Sequence, residues 1–352
     1  MDFSDIIETG RIVEHKTIIP QKNIIPEVAI TSLVSECKPN IHTPVCSGDK
    51  GLQIFKDFLA SKGITNITDP VQIVKEAAKN TDCNTESCAL RKISDKKNLD
   101  IESIIEQNFK KEPTDSEKSW LSNFDIDDTL RVLPAAYPSK KFKHIPFQMI
   151  DFCYSSSSSG LLEPIFLNNP QKKINSNYLT PKNQSCDINP YFILKQKSQT
   201  PPNPLNEFAF TIGDEIADEK IISFGCVLNT DYSTGRGKHW FCIYGELDNN
   251  EFKLEYFNTD AKDPPKEILA FLCQAKTSIN LNKKCIEKNI SANIYFNNEK
   301  NVFQTDNHAC GVFSVFYIWL RLLGVSYEWL TPENFNSDFI EKIRPLMFRE
   351  TR

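Results

Sequence analysis

The chain has 352 residues, with 41 lysines and arginines against 46 aspartates and glutamates, a net charge of −5. That length supports one large core plus an accessory domain, and the acidic balance argues against sequence-independent binding to nucleic acid or to an anionic membrane surface. The 11 cysteines are scattered without CxxC pairs, MDFSDIIETG lacks the basic-then-apolar order of a signal peptide, and no apolar run reaches the roughly 18 residues of a membrane span. These features predict free thiols in a reducing compartment, and make the sequons at Asn66, Asn183 and Asn289 chance matches.

Residues 1 to about 50 show weak periodicity, interrupted by prolines, and predict irregular structure. From Gly51, LQIFKDFLASKG puts Leu52, Ile54, Phe55, Phe58 and Leu59 on one helical face that ends at Gly63. A second helix opens at Pro70, and a third covers about Leu99 to Phe109. Between them CNTESCALRK carries Cys83 and Cys88, a poor zinc site because no second pair or histidine follows at ligand spacing. Residues 1–112 thus read as a mostly helical arm domain that ends in the charged linker KKEPTDSEK, and residues 113–352 as the larger domain.

SWLSNFDIDDTLRVL predicts a helix with acidic early turns and with Trp120 and Leu121 at its entrance. HIPFQMIDF reads as a strand, and a polar insertion follows from about Ser155 to Pro204, long enough to be a loop or binding arm. IISFGCVLNT (221–230), HWFCIYGEL (239–247) and EFKLEYFN (251–258) are strands, with a turn at Asp248, Asn249 and Asn250. The DYSTGRGK connection lacks the strand-GxGxxG-helix setting of a phosphate cradle and reads as a flexible loop. PPKEILAFLCQAKTSIN is a helix, SANIYFN a strand, and WLTPENFNSDFIEKIRPLMF a final amphipathic helix covering the sheet. Cys153, Cys226, Cys242 and Cys273 fall in apolar patterns and read as buried, inert fillers.

The chemistry concentrates in QTDNHACGVFSVFYIWLRLL, Gln304 to Leu323, where a polar turn gives way to a dense apolar helix pattern. Cys310 stands at the switch, where the positive end of a helix dipole is expected to lower its pKa and favour the thiolate. Gly311 would let a substrate backbone come close, and the Gln304 amide could face a developing oxyanion. His239 at one strand start and Asn258 at the next strand end are neighbours in an antiparallel pair. A thiol, a proton-exchanging imidazole, a group that orients it and oxyanion donors are the four parts of a cysteine protease. His308, on a tight loop beside Cys310, reads as an exposed residue rather than the base.

His-Trp, an Asn about nineteen residues on, and Gln-x5-Cys-Gly opening an apolar helix resemble the Ulp1 (SUMO protease) and adenain clan of cysteine proteases. GCVLNTDYSTGRGKHW, LEYFNTDAKDPP, WLSNFDIDDTL, CNTESCAL and FYIWLRLLGVSY resemble its African swine fever virus branch, over most of residues 83 to 352. The resemblance implies an α+β fold: a papain-type core with a mixed central sheet flanked by helices, assisted by an N-terminal helical arm. It places the triad on His239, Asn258 and Cys310, and the oxyanion glutamine on Gln304. SUMO proteases carry Asp where this chain has Asn258, which keeps Asp260 as a rival orienter of His239. Trp240 and Trp120 would wall a tunnel that admits only Gly-Gly, with core packing and a helix-entrance anchor as their plainer readings.

The implied activity is cleavage of viral structural polyproteins after Gly-Gly-Xaa motifs during virion maturation, in the host cytoplasm and the virion. No cofactor or metal enters this chemistry. A host-directed isopeptidase, deSUMOylase or deubiquitinase, is the alternative with the same machinery, and a non-catalytic scaffold is a third reading.

Overall fold

The computed structural model describes residues 36–41, 43–97, 99–111, 120–156, 162–164, 166–168, 192–194, 203–296 and 302–348. The expected irregular start therefore lies outside the described residues up to residue 35. The chain divides into two compact units, one of Met1–Ser119, Leu323–Trp329 and Glu341–Arg352, the other of Trp120–Leu322 and Leu330–Ile340.

In the first unit, four helices share one apolar core: α1 Gly48–Ala60, α2 Pro70–Asn80, α3 Glu86–Lys97 and α4 Glu102–Asn108. Phe55, Phe58 and Leu59 of α1 recur at helical spacing and are buried with Ile73, Leu90 and Ile105. Asp69 caps α2 by accepting from the Val71 N–H at 3.0 Å, and Pro70 occupies the first turn, where its missing N–H is not needed. Helix α3 fills the stretch read as a connection holding an unpaired cysteine couple. Its start is held by Glu36, which accepts from the Glu86 N–H at 2.6 Å and the Ser87 hydroxyl at 2.7 Å.

The expectation of free thiols fails here. Cys37 is bonded to Cys46 and Cys83 to Cys88, with Cα separations of 5.0 and 5.8 Å that suit a bridge, and Cys273 is disulfide-bonded as well rather than an inert filler. Cys83 and Cys88 are accordingly no metal pair. Chain folding brings each couple together, which spacing alone does not reveal.

In the second unit, Ser122 and Asp125 form a reciprocal capping box at the start of α5 Asn123–Arg131, which continues into the short α6 Leu133–Ala136. The single strand expected at HIPFQMIDF is broken into β1 Phe142–His144 and β2 Gln148–Met149, followed by a 3-10 turn at Ile150–Cys153. Within the expected insertion, β3 Tyr154–Ser156 pairs with β4 Leu162–Pro164, and β5 Phe166–Asn168 with β6 Phe192–Leu194. A helix without a counterpart in the sequence reading, α7 Pro204–Ala217, closes that region. Asn203 caps it through the Leu205 and Asn206 N–H groups, and Leu205, Phe208, Ala209, Ile212 and Ile216 are buried.

The sheet runs β1–β7–β8–β9–β10, with β7 Ser223–Asn229, β8 Trp240–Asp248, β9 Glu251–Phe257 and β10 Ser291–Phe296. It is mixed, since β1 and β2 join β7 in parallel, β10 joins β9 in parallel, and the central pairs are antiparallel. Asn249 and Asn250 both take positive φ in the two-residue turn between β8 and β9, the conformation that matches the twist of a tight hairpin. Helices α8 Lys266–Asn280 and α9 Lys283–Glu287 lie between β9 and β10. The final helices are α10 Cys310–Leu322 and α11 Ser337–Ile343. The single amphipathic helix expected at the C-terminus is instead three pieces, Tyr327–Trp329, α11 and Arg344–Met347, because Pro332 and Pro345 interrupt the pattern.

Strand pleating sorts the core. Phe252, Leu254 and Tyr256 of β9 and Phe241 and Ile243 of β8 face one layer with α7 and α8. Glu255 and Phe257 face α10, where the Tyr317 ring stacks on Phe257 at 4.2 Å between centroids and its hydroxyl donates to Glu255 at 2.8 Å. Arg321 completes this side: its Nη2 lies 2.7 Å from Glu255 and 3.3 Å from Glu246, and the guanidinium sits over Tyr244.

Two outcomes test these packings. Arg321→Met strips a fully buried carboxylate of its counter-charge and should destabilise the fold by about 3–5 kcal/mol in urea titration, with Glu255→Gln recovering part of that loss. In the first unit, burial drives the Lys110 ammonium down to about 7 from 10.5, against the support of Glu36. Between those values the unfolded chain holds a proton the folded one lacks, so wild-type stability should rise with pH relative to Lys110→Met, by at most about 1.4 kcal/mol per pH unit. A wild-type-minus-variant difference that stays flat from pH 7 to 9.5 would show that Lys110 remains charged when folded.

Candidate active site

Three chain segments meet at one end of the sheet: the start of β8, the end of β9 and the first turn of α10. His239 is half-buried just before β8, and its Nε2 lies 2.7 Å from Oδ1 of Asn258, just past β9. An amide oxygen only accepts, so Nε2 carries the ring proton and Nδ1 keeps its lone pair. The Asp260 N–H, which can only donate, points at Asn258 Oδ1 at 3.4 Å and assigns the amide, leaving Nδ2 to donate to the Tyr256 hydroxyl at 3.0 Å.

Continuing the β8–β9 register outward from Cys242 opposite Phe257 would set residue 260, not 258, across from His239. The ladder ends before that point. The chain turns after Asn258, with the Ala261 N–H donating to the Asn258 carbonyl and Ala261 at φ +54. This carries the Asp260 carboxylate away to Lys262, 2.6 Å from its Nζ, and Asn258 alone of the two rivals bonds the imidazole.

Cys310 is the first residue of α10 and is 1% exposed. Its sulfur faces the backbone N–H of Trp240, next in chain to His239, and those of Gly311 and Cys310 itself. Burial nevertheless outweighs these donors, and with a small push from the Asp306 charge it raises the thiol above its usual pKa. The expected depression by the helix start is therefore overturned in the resting protein, because a thiolate here loses more hydration than three amides return.

A Cβ at Gly311 would lie 3.2 Å from Cδ1 of Trp240 and 3.3 Å from Cβ of Leu121, so the missing side chain makes room for these two residues. Trp240 is buried, with Phe147 edge-on at 6.0 Å, whereas Trp120 is 47% exposed. The loop from 230 to 238 is tied down despite its glycines. The Ser233 N–H and hydroxyl donate to Asp151, Asn229 Oδ1 accepts from the Asp231 and Lys238 N–H groups, and Lys238 pairs with Asp231 at 3.1 Å.

The Gln304 side chain is held at both ends, its Oε1 accepting from Thr259 Oγ1 at 2.7 Å and its Nε2 donating to Asp306 Oδ1 at 2.9 Å. Burial opposes the charge on Asp306, but donors from His308, Ala309, Ser337 and Gln304 hold its carboxyl below the usual range. His308 is half-buried with Nδ1 3.4 Å from that carboxylate, not an exposed loop residue. Asp306 and Thr259 fall outside the motif, and Asp306 offers in sequence only the signal of a turn, which its bonds to the N–H groups two and three residues on bear out. Cys153, Cys226 and Cys242 are buried, and burial raises their thiols too.

No family model matches the chain. It is 26% identical over 325 residues to a cysteine protease of African swine fever virus, Badajoz strain, covering 91% of this chain and 97% of that one. It is 27% identical over 326 residues to a SUMO-1 cysteine protease of a Kenyan pig isolate of the virus, with the same coverage. The crystal structure of an African swine fever virus protease matches with a TM-score of 0.55 at 22% identity, over 90% of this chain and 96% of that one, so the two share a fold. The α+β fold and these relatives make the chain a cysteine peptidase. More particularly, it is a homologue of the cysteine proteases of African swine fever virus.

A thiol held above its usual pKa reacts slowly at neutral pH and faster as the pH rises. Alkylation of Cys310 by iodoacetamide should therefore keep accelerating from pH 7 to beyond 9. A rate already level at pH 6 would mean a preformed thiolate–imidazolium pair instead.

Proposed function

We propose that this chain is a viral maturation protease that cuts structural polyproteins after Gly-Gly-Xaa motifs with a His239–Asn258–Cys310 triad. The observation that carries the reading is the 2.7 Å bond from His239 to Asn258, which leaves Nδ1 as a base, beside a cysteine whose sulfur faces the amide next to that histidine. Because the resting thiol is protonated, substrate binding triggers the transfer. The Cys310 proton passes to Nδ1 as the sulfur attacks the scissile carbonyl carbon. The carbonyl electron pair moves onto oxygen, which the Cys310 N–H and the free N–H of Gln304 receive, typically about 3 kcal/mol per donor. Collapse breaks the C–N bond, and His239 returns its proton to the leaving amine. Water, deprotonated by the same imidazole, then releases the acyl group as acid and restores the thiol.

Selection of glycine has a steric basis. Trp240 and Leu121 crowd against Gly311, next in chain to Cys310, and exposed Trp120 immediately precedes Leu121. A passage between two indoles admits residues without side chains and rejects larger ones. Action in virions assembling in the host cytoplasm fits the viral source of the relatives. A second reading has one specific support: a relative is named a SUMO-1 protease, so an isopeptidase acting on ubiquitin-like conjugates uses the same centre.

Wild-type protein and Cys310→Ala, each incubated with a Gly-Gly-Xaa peptide and with a ubiquitin-like conjugate, should separate the readings by mass spectrometry. We expect peptide cleavage after the motif, lowered at least about a thousandfold in Cys310→Ala. Cleavage of the conjugate alone would install the isopeptidase reading, and undiminished activity in Cys310→Ala would remove the mechanism.

A further inference from the structure

We propose that Asp306 is a positioning residue that sets the orientation of the Gln304 amide, leaving one defined N–H for the oxyanion. The inference rests on the reading of Gln304 as an oxyanion donor.

A glutamine amide can rotate by half a turn and exchange its acceptor oxygen for its donor nitrogen, and only its partners decide between the two. Thr259 does not decide, because a hydroxyl donates or accepts equally well. A carboxylate only accepts, so Asp306 forces the nitrogen to face it at 2.9 Å and the oxygen to face Thr259 at 2.7 Å. With one N–H spent on Asp306, a single N–H is left with a fixed direction.

The carboxylate is itself held rigidly. Oδ1 also accepts from the N–H groups of His308 at 2.9 Å and Ala309 at 2.8 Å, and Oδ2 accepts from the Ser337 hydroxyl at 2.8 Å, whose oxygen takes the Thr305 N–H at 3.0 Å. These bonds seat the carboxylate against its own turn, so the direction it imposes on Gln304 is fixed. The Thr259 carbonyl, one residue from Asn258, accepts from the N–H groups of Phe303 at 3.0 Å and Gln304 at 3.3 Å, which ties the donor to the strand end that orients His239. The arrangement has a penalty, since the negative charge of Asp306 opposes the thiolate. A carboxylate kept there despite that effect fits a role in alignment.

The test measures kcat and KM on a Gly-Gly-Xaa peptide for wild type, Asp306→Ala, Asp306→Asn, Gln304→Ala and the Asp306→Ala/Gln304→Ala double variant. Asp306→Ala should lower kcat about 10- to 100-fold, most of the effect of losing one oxyanion donor, with KM within about threefold. Asp306→Asn, which can still accept through Oδ1, should recover most of the loss. In the Gln304→Ala background Asp306→Ala should add less than about threefold, because a residue acting through Gln304 has nothing left to align. Wild-type kcat in Asp306→Ala, or losses that multiply in the double variant, would overturn the proposal. Should Asp306→Ala not fold, Asp306→Ser keeps a short oxygen for the His308 and Ala309 N–H groups but no longer dictates which end of Gln304 faces it, and it faces the same two criteria. Unimpaired kcat in Gln304→Ala would instead remove the underlying reading of that glutamine.

Discussion

The buried contact between Arg321 and Glu255 fixes where helix α10 lies on the sheet, and the site depends on that placement. Eleven residues separate Arg321 from Cys310, about 16 Å along the helix axis at 1.5 Å per residue. Arg321 bonds Glu255 through both Nε and Nη2, and Tyr317, one turn earlier, donates to the same carboxylate and stacks on Phe257. A helix held at two points four residues apart can neither slide nor roll. Its first residue therefore falls where β8 begins and β9 ends. A fully buried carboxylate is expensive to leave unpaired, so the alternative registers are penalised as well as the native one rewarded.

That placement explains how a protease site forms from residues that are neither sequential nor paired in the ladder. Pleating sends Glu255 and Phe257 toward α10 and Leu254 and Tyr256 toward the opposite layer. Beyond the last paired rung the chain turns, which brings Asn258 rather than Asp260 to His239. The close approach of Trp240 and Leu121 then needs a residue without a side chain at 311. The sulfur that results is buried, and burial holds its thiol above the usual pKa. On the mechanism proposed above, ionisation waits for substrate and the oxyanion meets the donors of Cys310 and Gln304.

The hydrogen-bonded framework around the centre is more extensive than its catalytic members. Asp151 and Asn229 hold the loop that precedes His239, and Asp306 holds the turn that precedes Cys310. Both loops satisfy backbone N–H groups with short acceptor side chains instead of regular secondary structure. A glycine-rich loop can therefore be stiff, and rigid support of this kind suits the roles proposed for His239 and Cys310.

Much of this was legible in the chain itself. Alternating β-branched and aromatic residues marked β7, β8, β9 and β10, the Asn249–Asn250 turn marked their hairpin, and the apolar run after Cys310 marked α10, because periodicity and turn chemistry are local properties. The residues that gather at the sheet end could be named from their types and order. Local pattern did not separate α3 from a cysteine-bearing connection or find α7 beyond a polar insertion, nor did it foresee that the last segment breaks into three pieces. The disulfides, the raised Cys310 thiol, the crowding at Gly311 and the grip of Asp306 on Gln304 were settled only by the tertiary structure. Each depends on distance and on water excluded by residues remote in sequence, and a linear pattern carries neither quantity.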